Sequence, residues 1–293
     1  MKPNVWQAMK PAELSLGDFL RRTSPEITHL VELPQQTLLV LLSYVLEQPQ
    51  TWILAHPEAR ISAPQRAELT ALVARLKQGE PLPYLTGRQE FFSLCFEVSP
   101  AVLIPRPETE LLVETALSWL RSHPAANSAV DVGTGSGCIA VSLAVNTPTL
   151  HIVATDISAE TLGIAQGNAQ FHHVEDRITF QEADLISADL GRFDLICANL
   201  PYVPTSELAK VNSLPYEPAL ALDGGPDGLA LIKRCLADAP AHIRVPGMLL
   251  FEIEATTGDA ALALACNVFP QAKISLMPDL TGKDRLLTIE LEP

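Results

Sequence analysis

The sequence predicts an α/β chain in two parts: a small helical segment, then a larger domain built on a mainly parallel sheet. Three observations lead there. Apolar residues recur at helical spacing from about Ser15 to Gln78. From Pro105 onward, short apolar runs alternate with helical stripes, the pattern of successive βαβ units. The chain has 293 residues, 47% of them hydrophobic, too long for one small domain and enough for two cores.

In the first part, Leu16, Phe19, Leu20 and Thr23 repeat at helical spacing ahead of Pro25. Leu38, Leu39, Leu41, Leu42, Val45 and Leu46 form a second apolar face ahead of Pro49. Pro64, just after Ser62, suits a helix start, and Leu69, Leu72, Val73 and Leu76 give the stripe that follows. Gly79-Glu80-Pro81-Leu82-Pro83-Tyr84 ends the helical pattern. Phe91 to Val98 and Val102 to Ile104 read as strands around Ser99-Pro100, a β-hairpin joining the two parts. The expected divisions are a helical domain over residues 1–86, a hairpin linker over 87–104 and the α/β domain over 105–293.

Within that domain Glu108 to Arg121 is a helix, Ala129 to Val132 a short buried strand, and Cys138 to Val145 the helix after it. His151 to Thr155 is a second strand ending at Asp156, followed by a helix over Ala159 to Gln170 and a strand over Ile178 to Glu182. Phe193 to Ala198 is the next strand, with a helix near Leu229 to Ala237 behind it. Met248 to Glu254, Lys273 to Met277 and Leu286 to Leu291 complete the strands, and a helix lies around Asp259 to Phe269. Ligands of such sheets bind beyond the carboxyl ends of the strands.

Charge narrows the partners. The formal net charge is −14, which argues against non-specific binding to a phosphate backbone and suits a basic protein partner. No direct nucleic-acid partner is expected. Cys95, Cys138, Cys197, Cys235 and Cys266 include no C-x-x-C pair and mostly lie in apolar runs, so neither a disulfide framework nor a metal site is expected. Met1 to Pro11 lacks the apolar core of a signal peptide, and Leu38 to Leu46 falls far short of the roughly 20 residues that span a bilayer. A cytoplasmic monomer is the expectation.

Two motifs carry chemistry. Asp131-Val132-Gly133-Thr134-Gly135-Ser136-Gly137 is a glycine turn after a strand, which lets backbone approach a ligand. A dinucleotide fingerprint would need its third glycine at position 138, which is Cys138, so a phosphate-free cofactor fits better. Asp156, about 20 residues on, can accept both hydroxyls of an adenosine ribose, and Asp184 can reach an adenine amino group. S-adenosylmethionine meets these demands. Asn199-Leu200-Pro201-Tyr202, at the end of the strand Phe193 to Ala198, can grip a planar amide or amino nitrogen. The Asn oxygen accepts one N–H, the Leu200 carbonyl accepts the other, and the Tyr ring covers the plane. In Ile104-Pro105-Arg106-Pro107-Glu108-Thr109-Glu110, the proline and acids suit a helix start, while Arg106 either orients the acceptor loop or pairs with Glu110.

At these motifs the chain resembles the HemK/PrmC family of protein-(glutamine-N5) methyltransferases. The likeness runs through Gly79 to Gly87 with Glu90-Phe91, Val102 to Glu110, Asp131 to Gly137, Asn199 to Tyr202, and Tyr216-Glu217-Pro218-Ala219-Leu220-Ala221-Leu222 with Gly224-Gly225 and Asp227-Gly228-Leu229. It implies a Rossmann-like class I methyltransferase domain, preceded by a small helical domain that recognises substrate. It further implies methyl transfer from S-adenosylmethionine to the glutamine of the GGQ motif in peptide chain release factors. Asn199 and Tyr202 then hold the glutamine amide, with Leu200, Pro201 and Arg106 on the substrate side. Gly133, Thr134, Gly135, Ser136, Gly137, Asp156, Asp184, Leu185 and Asn199 surround the cofactor. The chain departs from the family at two points. Leu200 stands at the first proline of an Asn-Pro-Pro-Tyr motif, and Leu185 stands where an aromatic often packs near the adenine. Three alternatives stay open: glutamine methylation of a ribosomal protein, methylation of an adenine amino group, and a cofactor-binding scaffold disabled at Leu200.

Overall fold

The computed structural model describes residues 14–210 and 216–293, so the expectation for Met1 to Pro11 lies outside the described residues. Residues up to Thr86 form one compact unit and residues 87–293 another.

In the first unit, Leu16, Phe19, Thr23 and Ile27 are the buried positions of α1 (Leu16–Ile27), whose first turn is capped by Ser15 Oγ accepting the Asp18 N–H. The helix does not stop ahead of Pro25. The proline is on the exposed side, where water can take the carbonyl it cannot serve, and Ile27 anchors the last turn in the core. Helix α2 (Pro34–Leu46) carries the Leu-rich face, and α3 (Gln50–Ala55) follows. Helix α4 (Ala63–Lys77) opens with a reciprocal capping box between Ser62 and Gln65, with Pro64 in its first turn. A short helix, α5 (Leu82–Thr86), forms where the pattern suggested only a break. Leu16, Phe19, Leu38, Leu42, Leu69 and Leu72 form the shared core.

The second unit begins with a hairpin, β1 (Arg88–Phe91) and β2 (Leu94–Glu97), paired Phe91 with Leu94. Its turn is Phe92-Ser93, not Ser99-Pro100. Both turn residues have positive φ, 50° and 61°, a conformation usually signalled by Asn-Gly and here without that signal. Val102 to Ile104 is not a strand: the Val102 N–H bonds back to Ser99, and the Ile104 N–H is taken by Glu217 at 3.2 Å. The hairpin is pinned to the rest of the unit by Asn168, which bonds both the N–H and the carbonyl of Glu97, and by Phe91 and Phe96 in the core.

The sheet contains β3 (Ser128–Val132), β4 (His151–Asp156), β5 (Ile178–Glu182), β6 (Phe193–Ala198), β7 (Ile243–Glu252), β8 (Lys273–Pro278) and β9 (Asp284–Leu291). Its order is β5-β4-β3-β6-β7-β9-β8; the first five are parallel, and β9 runs antiparallel to both its neighbours. The helices are α6 (Glu110–Ser122), α7 (Cys138–Asn146), α8 (Ala159–Phe171), α9 (Ala230–His242) and α10 (Gly258–Val268). Side chains alternate between two cores, as a period of two requires: Ala129 of β3 joins α6, α7 and the hairpin, while Val130 and Val132 join α9 and α10. Strand β7 begins five residues before the expected Met248, since Ile243 already pairs with Phe193. The register then jumps to Leu195 opposite Met248, so only the second half shows a clean apolar run. Chain order reverses at β3, which has β4 on one side and β6 on the other. That leaves a crevice beyond the carboxyl ends of β3, β4 and β6.

Candidate active site

The crevice is a cleft of about 530 Å³. It brings together Gly133, Thr134, Gly135, Ser136, Asp156, Asp184, Leu185, Asn199, Leu200, Pro201 and Arg106, residues scattered over nearly a hundred positions of the chain. Gly137 and Tyr202 do not line it. Gly137 starts α7 at φ 80°, and a Cβ there would sit 3.1 Å from the Ala165 side chain, so this glycine serves close packing against α8. Tyr202 is covered from outside: a Cβ on Gly228 would lie 2.4 Å from its carbonyl oxygen, and its hydroxyl donates to Glu252 Oε1 at 3.2 Å.

The glycine turn is held from beneath. Asp131 Oδ2 accepts the Thr134 hydroxyl at 2.7 Å and the Ala140 N–H at 3.1 Å. Burial pushes the Asp131 carboxyl up to about 6. Thr134 ties back to β4 through its N–H to the Thr155 carbonyl. Asp156 Oδ2 accepts the Gly135 N–H at 3.1 Å, and Oδ1 the Ser158 N–H at 3.0 Å. Burial raises the Asp156 carboxyl, and these backbone donors oppose the rise.

The residues present fit S-adenosylmethionine. Ser136 lines the cleft with a buried hydroxyl that lacks a partner, a polar atom a bound ligand can satisfy. The two arginines on the cleft wall are both engaged by carboxylates, Arg106 by Glu217 and Arg234 by Asp184 at 2.7 Å, which suits a cofactor without phosphates. The Asp184 carboxylate is paired with Arg234, and both line the cleft, as does Leu185 at φ 65°. Among the described residues no group of three or more His, Cys, Asp or Glu is placed to hold a metal ion.

Asn199 follows directly on β6, and its Nδ2 donates to Thr109 Oγ1 at 3.0 Å. Thr109 is buried beside the start of α6. Arg106 does not pair with Glu110. Glu110 instead accepts the Phe92 N–H at 2.8 Å, and Arg106 clasps both oxygens of Glu217 at 2.8 and 2.6 Å. Glu217 is only 3% exposed. Leu200 is buried in the α9 and α10 core together with Leu185, its Cδ2 close under Gly133. Leu200→Pro is accordingly expected to keep methyl transfer while lowering stability by about 1 kcal/mol for the lost packing, measured by thermal melting beside an activity assay.

Thr109, Glu217 and Glu252 were not singled out by sequence patterns. Glu252 had a signal: a carboxylate closing the wholly apolar run Met248 to Phe251 is out of place in a buried strand. Burial raises its carboxyl, and burial together with the Glu252 charge raises the Tyr202 phenol. Cys138, Cys197 and Cys235 are buried as expected of core residues, whereas Cys266 is exposed on α10. Among the described residues no helix is long and apolar enough to cross a membrane.

Known proteins align along the whole arrangement. A model of the PrmC N-terminal domain matches residues 18–87, and one of the methyltransferase small domain matches 107–212. A release factor glutamine methyltransferase of Moorella thermoacetica is 39% identical over 277 residues, 92% of this chain and 95% of its own length. One from Bordetella pertussis is 40% identical over 258 residues, 87% of this chain and 94% of its own length. Among solved structures, the ribosomal protein L11 methylase of Lactobacillus delbrueckii subsp. bulgaricus superposes with a TM-score of 0.50 at 20% identity, covering 66% of this chain and 83% of its own. The hMettl16 catalytic domain bound to an RNA hairpin gives 0.55 at 15% identity, covering 79% and 83%. These structures share the fold, while the sequence relatives match over nearly the full length of the chain. The chain belongs to the release factor glutamine methyltransferase family, enzymes that use S-adenosylmethionine as methyl donor.

Proposed function

We infer that this chain methylates the side-chain amide nitrogen of the GGQ glutamine in peptide chain release factors. The observation that carries this is the placement of Asn199: at the end of β6, in the cleft that also holds the glycine turn, with its NH₂ engaged by Thr109. That leaves Oδ1 as an acceptor for a substrate N–H, beside the Leu200 carbonyl for the second. An amide nitrogen is a poor nucleophile because its lone pair is delocalised. Accepting both N–H groups localises that pair and stabilises the positive charge that grows on nitrogen. Holding the nitrogen in line removes most of the entropic barrier. Bound S-adenosylmethionine supplies an electrophilic methyl group. Asp156 is assigned the ribose hydroxyls, the Asp184 backbone and Leu185 the adenine side, and Gly133 to Ser136 the remainder of the cofactor. Pro201 walls the acceptor nitrogen, Tyr202 supports that wall from behind the cleft lining, and Arg106 acts on substrate by fixing Glu217 and its segment.

The N-terminal unit, residues 1–86, matched in large part by the PrmC N-terminal domain, is assigned to recognition of the protein substrate. The acidic balance suits a basic protein and no direct nucleic-acid partner, and the enzyme acts as a cytoplasmic monomer. The test is mass spectrometry of release factors and ribosomal proteins after incubation with the enzyme and labelled cofactor. Label on the GGQ glutamine is expected; label confined to a ribosomal protein would replace the substrate.

Asp156→Ala is expected to weaken cofactor binding by about 1.5–3 kcal/mol, the loss of charge-assisted hydrogen bonds. Calorimetry with S-adenosylmethionine checks it, and an unchanged affinity removes Asp156 from the ribose role.

A further inference from the structure

One face of α8 reaches two stretches of the cleft lining. Thr161, Ala165, Asn168 and His172 follow the i, i+4, i+7, i+11 spacing of a single helix side. Thr161 Oγ1 donates to the Ala101 carbonyl at 3.0 Å. Ala165 is the residue that a Cβ on Gly137 would press, at 3.1 Å. His172, which closes the helix, donates from Nε2 to the Cys95 carbonyl at 2.7 Å. This side of α8 thus holds the chain from β2 to Ala101, and Pro100, Ala101, Val102 and Leu103 go on to line the cleft.

Asn168 bonds to both the hairpin and the glycine turn. Its Oδ1 accepts the Glu97 N–H at 2.7 Å. Its Nδ2 donates to the Glu97 carbonyl at 3.0 Å and to the Ser136 carbonyl at 2.9 Å. A primary amide has two donor protons and one acceptor oxygen, and all three are engaged at a residue 1% exposed. The other ties on the glycine turn come from the strands. Thr134 is held by the Asp131 carboxylate and the Thr155 carbonyl, and Gly135 by Asp156. Asn168 supplies the tie at Ser136, whose unpartnered hydroxyl lies in the cleft lining. Without it a buried carbonyl loses its donor, and the Ser136–Gly137 peptide is free to rotate and carry Ser136 with it.

We propose that Asn168 is a positioning residue for the cofactor, which locks the Ser136 end of the glycine turn to the hairpin at Glu97 and so holds two stretches of the cleft lining in one arrangement. This rests on the assignment of the glycine turn to the cofactor. Asn168 does not line the cleft and acts on the ligand only through Ser136. Neither Asp, which cannot donate while ionised, nor Ser, which is too short to span both partners, can replace it.

The test uses the full chain with N168D, N168S and H172F. The last cuts the link to the Cys95 carbonyl, leaves the glycine turn untouched, and keeps a ring beside Phe96, whose centroid lies 5.4 Å away. The measurements are calorimetric affinity for S-adenosylmethionine, its KM, kcat at saturating cofactor, and melting temperature. N168D and N168S are each expected to weaken cofactor binding about tenfold, the cost of a buried carbonyl left without its donor. The cofactor KM rises in parallel, while kcat at saturating cofactor stays within about twofold of wild type, the mark of a group that serves binding. H172F is expected to melt earlier with cofactor affinity unchanged. Asn168 variants that melt earlier yet bind cofactor like wild type would overturn the proposal, as would an H172F that loses as much cofactor affinity as they do. Should neither Asn168 variant fold, amide exchange on the wild-type chain decides it. Adding S-adenosylhomocysteine should slow exchange of the Glu97 N–H, bonded to Asn168, more than that of the Phe92 N–H, bonded to Glu110. Equal slowing, or none, overturns the link. Asp156→Ala, run alongside, separates the two levels. If it too leaves cofactor affinity unchanged, the cofactor assignment of the turn is wrong; if it weakens binding while the Asn168 variants do not, only the role of Asn168 falls.

Discussion

Asn199→Ala is expected to abolish practical methyl transfer, lowering kcat by about 100- to 1000-fold, as removal of one preorganised group facing developing charge does elsewhere. Stability should barely move. The side chain makes one hydrogen bond within the protein, to Thr109, and losing such a bond costs about 1 kcal/mol. The two scales separate cleanly: roughly 3–4 kcal/mol in the barrier against about 1 in the fold. Cofactor affinity should change little, because the hydrogen bonds that hold the glycine turn and Asp156 run through Asp131, Thr134 and Ser158 and not through Asn199. Single-turnover kinetics with a release factor, calorimetry with S-adenosylmethionine and a melting curve make the comparison. A variant that loses cofactor binding in proportion to turnover would put Asn199 on the cofactor rather than the acceptor.

The positions that matter for that experiment were legible because of how parallel strands are built. Leu195 to Ala198 is buried on both faces, so it reads as an unbroken apolar run, and the first polar residue after it marks the crevice. The same logic located Asp156 after His151 to Thr155 and the glycine turn after Ala129 to Val132. Periodicity carries no such information about side chains that meet across the fold. Arg106 finds Glu217 across 111 residues, and nothing in either neighbourhood names the other. Thr109 looked like part of a helix start because its local sequence is one; its second role depends on where β6 and β7 end. The hairpin was misplaced for a related reason. Its turn adopts left-handed geometry at Phe92 and Ser93, residues without the local preference for it, and is supported from outside by Glu110. The turn signal at Ser99-Pro100 is met by a turn closed by the Val102 N–H on the Ser99 carbonyl, but the segment after it does not pair as a strand.

The Arg106–Glu217 pair tests the part of the site that sequence patterns left undecided. Arg106→Ala leaves a carboxylate at 3% exposure with, among the described residues, the Ile104 N–H as its remaining donor. Removing one partner of a buried pair costs about 3–5 kcal/mol. The lower end applies, since the Arg106 side chain keeps 35% exposure and water already screens part of the interaction. For a domain of this size that corresponds to a fall of roughly 6–12 °C in melting temperature. Activity should fall with it even where the protein remains folded, because Glu217 anchors the segment that returns over Tyr202 through Gly224 and Gly228. Glu217→Gln separates charge from shape. The amide oxygen can still accept the Ile104 N–H and one Arg106 N–H, so the loss should be smaller. The double variant Arg106→Ala/Glu217→Gln should regain stability over Arg106→Ala alone, since no unpaired charge remains in the interior. If the double variant is instead as unstable as the two losses added together, Arg106 and Glu217 act independently and the clasp is not what holds the acceptor segment in place.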